Sequence, residues 1–222
     1  MITNKGQIIF TFDDVIMNTS YNLYKYLSLR YAFYGKFLDI FKLYSKEDID
    51  NRTIANIIEY LYNEKIKNND FYKATFAFSI LNNYYLSKYD IYDNELPTPL
   101  AKGTLLNPLF YENAGIENVY ILIKYATDIE KEYKEKFVKK YLSNSVKFKF
   151  VYLKNTESYS DYIIKNIPKW DLIVTDDIEA VEQLAKLNID HHEFFLPNYG
   201  YDKASPFLKE LIKQKNASIN YF

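Results

Sequence analysis

The chain has no cysteine among its 222 residues. That excludes a disulfide framework, a thiolate zinc site and thiol chemistry, and it suits a reducing compartment. Glycine (5) and proline (6) are scarce, and no proline occurs between Met1 and Leu96. No apolar run reaches the roughly 18 residues that a membrane-spanning helix needs. The amino terminus, Met-Ile-Thr-Asn-Lys-Gly, lacks the long apolar region of a signal peptide. No excess of either charge is present either: the net charge is −1 and the isoelectric point about 6.2. A global basic field for nucleic acid is therefore missing. These absences lead to the expectation of a cytoplasmic or intracellular protein with no membrane partner and no clear nucleic-acid signal. At 26.5 kDa the chain can hold one sizeable core, or a core plus a small inserted domain.

Tyrosine is abundant, at 24 residues, with 16 phenylalanines beside it. Lys, Asn and Ile are frequent too, and the codons of all these residues are AT-rich, so genome bias accounts for much of the excess. Tyrosine also makes good contact surface, with a large area and few rotors. The expectation is that other protein subunits are partners, in a larger assembly.

The most informative stretch is residues 7–20. Ile8 to Phe12 is a short apolar run of β-branched and aromatic residues, the composition of a buried strand. It ends in two acids, Asp13 and Asp14. Open α/β sheets place their ligand sites where strands deliver such groups at their carboxyl ends. Acids there can equally be helix caps.

Residues 21–92 change character. Tyr24, Leu27, Tyr31 and Tyr34, and then Ile54, Ile57, Ile58 and Leu61, recur at helical spacing and predict three or four amphipathic helices. Ser45-Lys-Glu-Asp48 matches a capping box and places a helix start near residue 46. Asn68-Asn69-Asp70 reads as a break. Residues 93–115 read as a connector, with Pro97, Pro99, Gly103, Pro108 and Gly115 as turn signals.

From Asn118 strands and helices alternate. Strands are predicted at 119–125, 147–153 and 171–175, with a short fourth at 194–196. Helices are predicted at 128–142, 158–166, 178–187 and 206–215. The first of these helices carries acids early and lysines late, as the helix dipole prefers. Crossovers this short imply a mostly parallel sheet covered on both faces. The fold class is thus α/β, a Rossmann-like sheet formed by 1–20 and 93–222, with 21–92 as a helical insertion.

The stretch Ile-Ile-Phe-Thr-Phe-Asp-Asp-Val-Ile-Met-Asn-Thr resembles the first motif of the haloacid dehalogenase-like (HAD) hydrolases. That motif is a hydrophobic strand followed by Asp-x-Asp. The best register puts Asp13 on the second aspartate, the family's general acid/base, and Thr11 on the first, its nucleophile. Moving the register so that Asp13 becomes the nucleophile leaves Val15 where the acid belongs. Either way one member of the pair is missing. The resemblance continues in Asp171-Leu-Ile-Val-Thr-Asp-Asp-Ile-Glu-Ala, similar to the fourth motif, whose acids ligate Mg²⁺ together with those of the first. It implies Asp13, Asp176 and Asp177 as metal ligands and Mg²⁺ as the cofactor. Asp177 reads equally well as a cap for the helix beginning at Ile178. Thr127 falls near the family's phosphate-binding hydroxyl, or else caps the helix at Asp128. Lys154, between a strand and the next helix, falls near its phosphate-holding lysine. The insertion at 21–92 is similar to the family's commonest cap, and Phe-Phe-Leu-Pro-Asn-Tyr-Gly-Tyr is similar to the end of nucleotidase-like members. His191 and His192 are adjacent and would face opposite ways on a strand, which argues against a paired metal site.

Phosphoryl transfer in this family passes through an aspartyl phosphate, so a carboxylate nucleophile is needed. With threonine in its place, the expectation is a pseudoenzyme: a HAD-like domain kept as a structural or interaction protein. AT-rich composition on a degenerate enzyme fold suits a bacteriophage or other viral protein, a virion component. Two alternatives stand beside it. One is a divergent Mg²⁺-dependent phosphohydrolase, 5′-nucleotidase-like, in which water attacks directly. The other is a sensor that binds a phosphate ligand without turnover.

Overall fold

The computed structural model describes residues 6–31, 38–43, 49, 51–66, 70–86, 97–107, 116–142, 148–167, 169–187, 193–197 and 217–220. The chain divides into two compact units, one formed by Met1–Met17 with Pro97–Phe222 and the other by Asn18–Leu96.

The first unit is built on a sheet of six strands: β1 (Gly6–Thr11), β2 (Ile116–Tyr125), β3 (Phe148–Lys154), β4 (Leu172–Val174), β5 (Glu193–Pro197) and β6 (Ala217–Asn220). Their spatial order is β3-β2-β1-β4-β5-β6, and all five pairings are parallel. This is the doubly wound order, with β1 in the centre and the direction of winding reversing between β1 and β4. Phe10 sits opposite Ile121 on one side and Val174 on the other.

Alternation along β1 separates two cores. Ile8, Phe10 and Phe12 point into one, with Val119, Ile121, Ile123, Phe137 and Val138. Ile9 points into the other, with Leu122, Leu153, Ile163, Trp170, Ile173, Val181 and Leu184. Ile9, Leu122 and Ile173 are fully buried, and each such side chain stabilises the fold by about 1.5–3 kcal/mol.

The helices of this unit start where the sequence offers a cap. Helix α6 (Asp128–Tyr141) begins at Thr127, whose hydroxyl accepts from the Glu130 N–H, while the Glu130 carboxylate accepts from the Ala126 N–H at 2.8 Å. Helix α7 (Tyr159–Asn166) is capped by Ser158, and α8 (Ile178–Ala185) by Asp177. One element corrects the sequence reading. Within the expected connector, Pro99–Gly103 forms a short helix, α5, capped by the Thr98 hydroxyl. Pro99 is at its start, where a missing N–H costs nothing, so the proline opens a helix instead of breaking one. Strand β6 is also additional to the expected elements. The expected helix at 206–215 and both histidines lie outside the described residues.

The second unit is helical: α1 (Thr19–Tyr31), α2 (Leu38–Lys42), α3 (Asn51–Ile66) and α4 (Asp70–Leu86). Leu27, Ile57, Leu61 and Tyr84 are fully buried. The Tyr84 ring meets Tyr26 edge-on at 5.4 Å and Tyr85 at 4.8 Å. Part of the tyrosine excess is therefore core and not surface. The capping box at 45–48 and the break at 68–69 lie outside the described residues.

Candidate functional site

The carboxyl ends of β1 and β4 lie at the point where the winding reverses, and each runs into a pair of acids. Thr11 closes β1 and Thr175 follows β4. Both are buried, at 1% and 0% exposure. The Thr11 hydroxyl donates to the Thr175 hydroxyl oxygen at 3.1 Å, and that oxygen also accepts from the Asp177 N–H at 3.0 Å. The position the resemblance gives to a nucleophile thus holds a buried hydroxyl tied to its neighbour strand.

Beyond Thr11 the chain makes a tight loop. Met17 N–H and Ile16 N–H both donate to the Phe12 carbonyl, and Asp14 N–H donates to the Met17 carbonyl at 2.7 Å. Asp14 has φ of 55°, in the left-handed region that aspartate tolerates better than branched residues do. The Thr98 hydroxyl bonds the Val15 carbonyl and anchors the loop.

Asp13 is held by a partner that the sequence reading did not name. Lys134, on α6, is buried with 1% exposure. Its ammonium donates to Asp13 Oδ2 at 2.8 Å and to the Lys124 carbonyl at 2.8 Å, and it pairs with Glu130 Oε1 at 2.8 Å. Burial alone would push the lysine down, but the two carboxylates outweigh it and hold its pKa above the ordinary value.

Asp176 follows Thr175, and its carboxyl is pushed well up from the usual range. Burial is the largest cause, followed by the negative charges of Asp14, Asp13 and Asp177. Asp177 Oδ1 accepts from the Ala180 N–H at 3.0 Å, so this carboxylate caps α8. Tyr159, the first residue of α7, is buried among apolar side chains. Burial and the fields of Asp13, Asp176 and Asp177 raise its phenol well above its usual value. The Lys124 ammonium lies 4.1 Å from the centre of its ring.

The structure therefore brings Thr11, Asp13, Asp176 and Asp177 to one edge of the sheet, and adds Asp14, Thr175, Lys134 and Tyr159. Thr127 is the cap of α6. Lys154 is the last residue of β3, with an exposed side chain; its N–H donates to Glu157 Oε2 at 2.6 Å. Beside this edge lies a cavity of about 530 Å³ lined by Lys124, Asn155, Ser158, Asp161, Asp177 and Gln183, among others. The Ser160 hydroxyl bonds Gln183, which ties α7 to α8.

Magnesium takes near-octahedral oxygen ligands, usually one or two carboxylates and waters. Asp13 gives an oxygen to Lys134, Asp177 gives one to a backbone N–H, and among the described residues no three acidic or imidazole side chains converge as a metal-binding group.

No protein-family model and no curated protein matches the sequence. Solved structures do match the fold. A protein of Bacteroides fragilis described as a haloacid dehalogenase-like hydrolase superposes with a TM-score of 0.53 over 93% of each chain at 11% identity. Another so described, from Burkholderia xenovorans LB400, gives a TM-score of 0.50, covering 98% of this chain and 95% of its own, also at 11% identity. The chain shares its α/β fold with these solved structures. Among the described residues, no helix is long and apolar enough to cross a membrane.

Proposed function

We propose that this chain is a HAD-like domain without phosphoryl-transfer activity, serving as a structural or interaction subunit among other protein subunits. The observation that carries the reading is the Thr11–Thr175 pair. A threonine hydroxyl has a pKa far above neutral and needs an adjacent general base to attack. Here its hydroxyl donates to another hydroxyl, and both are shut off from solvent. Asp13, in the acid/base position of the resemblance, is committed to Lys134.

The test is turnover. The purified chain, given Mg²⁺ and a panel of nucleotides and small phosphate esters, is expected to release no phosphate beyond the rate of its Asp13→Asn variant. Mg²⁺-dependent release that disappears in Asp13→Asn overturns the proposal. Light scattering checks the assembly half: a mass above that of one 26.5 kDa chain is expected for a self-assembling subunit.

A divergent phosphohydrolase, with Mg²⁺ supplied at Asp13, Asp176 and Asp177, is the second reading. The polar cavity beside the acids favours it. Under that reading Thr11→Asp raises phosphate release; under the first it only destabilises the fold, because it puts a carboxylate into a buried site.

A further inference from the structure

Lys134 is a saturated ammonium. A lysine head has three N–H donors, and here three oxygens receive them, each at 2.8 Å. They come from three different places: Asp13 after β1, the Lys124 carbonyl near the end of β2, and Glu130 one turn back on α6. The Phe12 ring stands 5.8 Å away and forms an apolar wall. Two carboxylates and a backbone carbonyl around one buried point are hard oxygen donors of the kind that bind divalent cations. Without a positive charge at their centre, the two carboxylates, which keep only 22% and 11% exposure, would repel each other and be partly stripped of water.

We infer that Lys134 is the protein's own cation at this position, doing the charge-neutralising work of a bound divalent ion, and that its ammonium masks a latent divalent-cation site formed by Asp13, Glu130 and the Lys124 carbonyl. The inference goes beyond the reading of turnover and does not depend on it. The size of the site selects the ion. Oxygens 2.8 Å from a common centre need a small contraction to reach the 2.3–2.6 Å typical of calcium, and a larger one to reach the 2.0–2.1 Å of magnesium. Calcium also accepts irregular coordination completed by water, which a truncated side chain leaves room for.

The experiment is thermal unfolding of the full chain in EDTA, in calcium and in magnesium. The wild type is expected to melt at the same temperature, within about 1 °C, in all three. Lys134→Ala is expected to melt lower in EDTA. It should gain about 5 °C or more in calcium at on the order of 100 times the dissociation constant, and less in magnesium. Adding Asp13→Asn to that variant should abolish the gain. A wild-type shift in either cation that Asp13→Asn removes overturns the inference. So does a folded Lys134→Ala variant that ignores calcium. A variant that folds in calcium but not in EDTA supports it, and one that calcium at saturating concentration does not restore to the folded state overturns it.

Discussion

Replacing Lys134 by methionine keeps the length of the side chain and deletes its charge. Three hydrogen bonds of 2.8 Å disappear together, and two carboxylates lose their counter-charge. Removing one partner of a buried ion pair costs about 3–5 kcal/mol. The Asp13 and Glu130 side chains keep 22% and 11% exposure, so water recovers part of the loss and the lower end applies. For a chain of this size about 3 kcal/mol lowers the unfolding midpoint by roughly 6–12 °C. Lys131→Met is the control: its pair with Glu135 is 3.8 Å long and more than a third exposed on both sides, where little stability is expected. Thermal melts of both variants at neutral pH make the comparison. A fall under about 2 °C for Lys134→Met, or equal falls for the two variants, would refute the account. The pH dependence has a definite sign. The lysine pKa is raised in the folded chain above its ordinary 10.5, so its contribution is fully present below that pH and is lost as pH rises through the folded value. The melting curves of wild type and variant should converge only in strong alkali.

Asp176→Asn should stabilise the chain at neutral pH. Its folded pKa is raised, so stability falls as pH climbs from its ordinary 3.8 toward the folded value; urea titrations at pH 7 and below pH 4 should show the gain at the first and not at the second. Asp177→Ala should lose the α8 cap, at about 1 kcal/mol, while Asp177→Asn keeps it; denaturation midpoints of the pair separate capping from charge.

Much of the architecture is legible in short runs. Ile8–Phe12 and Val119–Tyr125 announce central strands because both faces of a parallel sheet are buried and, Thr11 and Lys124 apart, their residues are apolar or aromatic. Lys134 is invisible for the opposite reason. It sits in Asp-Ile-Glu-Lys-Glu-Tyr-Lys-Glu-Lys-Phe, a stretch so charged that it reads as a solvated face. The signal was one of spacing: Glu130, Lys134, Phe137, Val138 and Tyr141 share one face of a helix, and the last three are apolar. A lysine on an apolar face needs an acid, and Asp13 supplies it from 121 residues away. Thr175 was hidden similarly. A hydroxyl at a strand end is ordinary, and only the pairing of β1 with β4 puts it against Thr11.

The central place of β1 has a consequence for how the chain is made. The strand leaves the ribosome before its neighbours, which are residues 116–122 and 172–174. At 5–20 residues per second, roughly 8–35 s pass before both sides of it can be covered. Until then Gln-Ile-Ile-Phe-Thr-Phe is a naked β-forming segment without charge or proline, the composition that seeds aggregation. Helices α1, α3 and α4 depend on nearer contacts and can form during that interval. Production of this protein is therefore expected to be limited by how long β1 waits, and lower growth temperatures or a chaperone that shields the nascent β1 segment should raise the yield of folded chain.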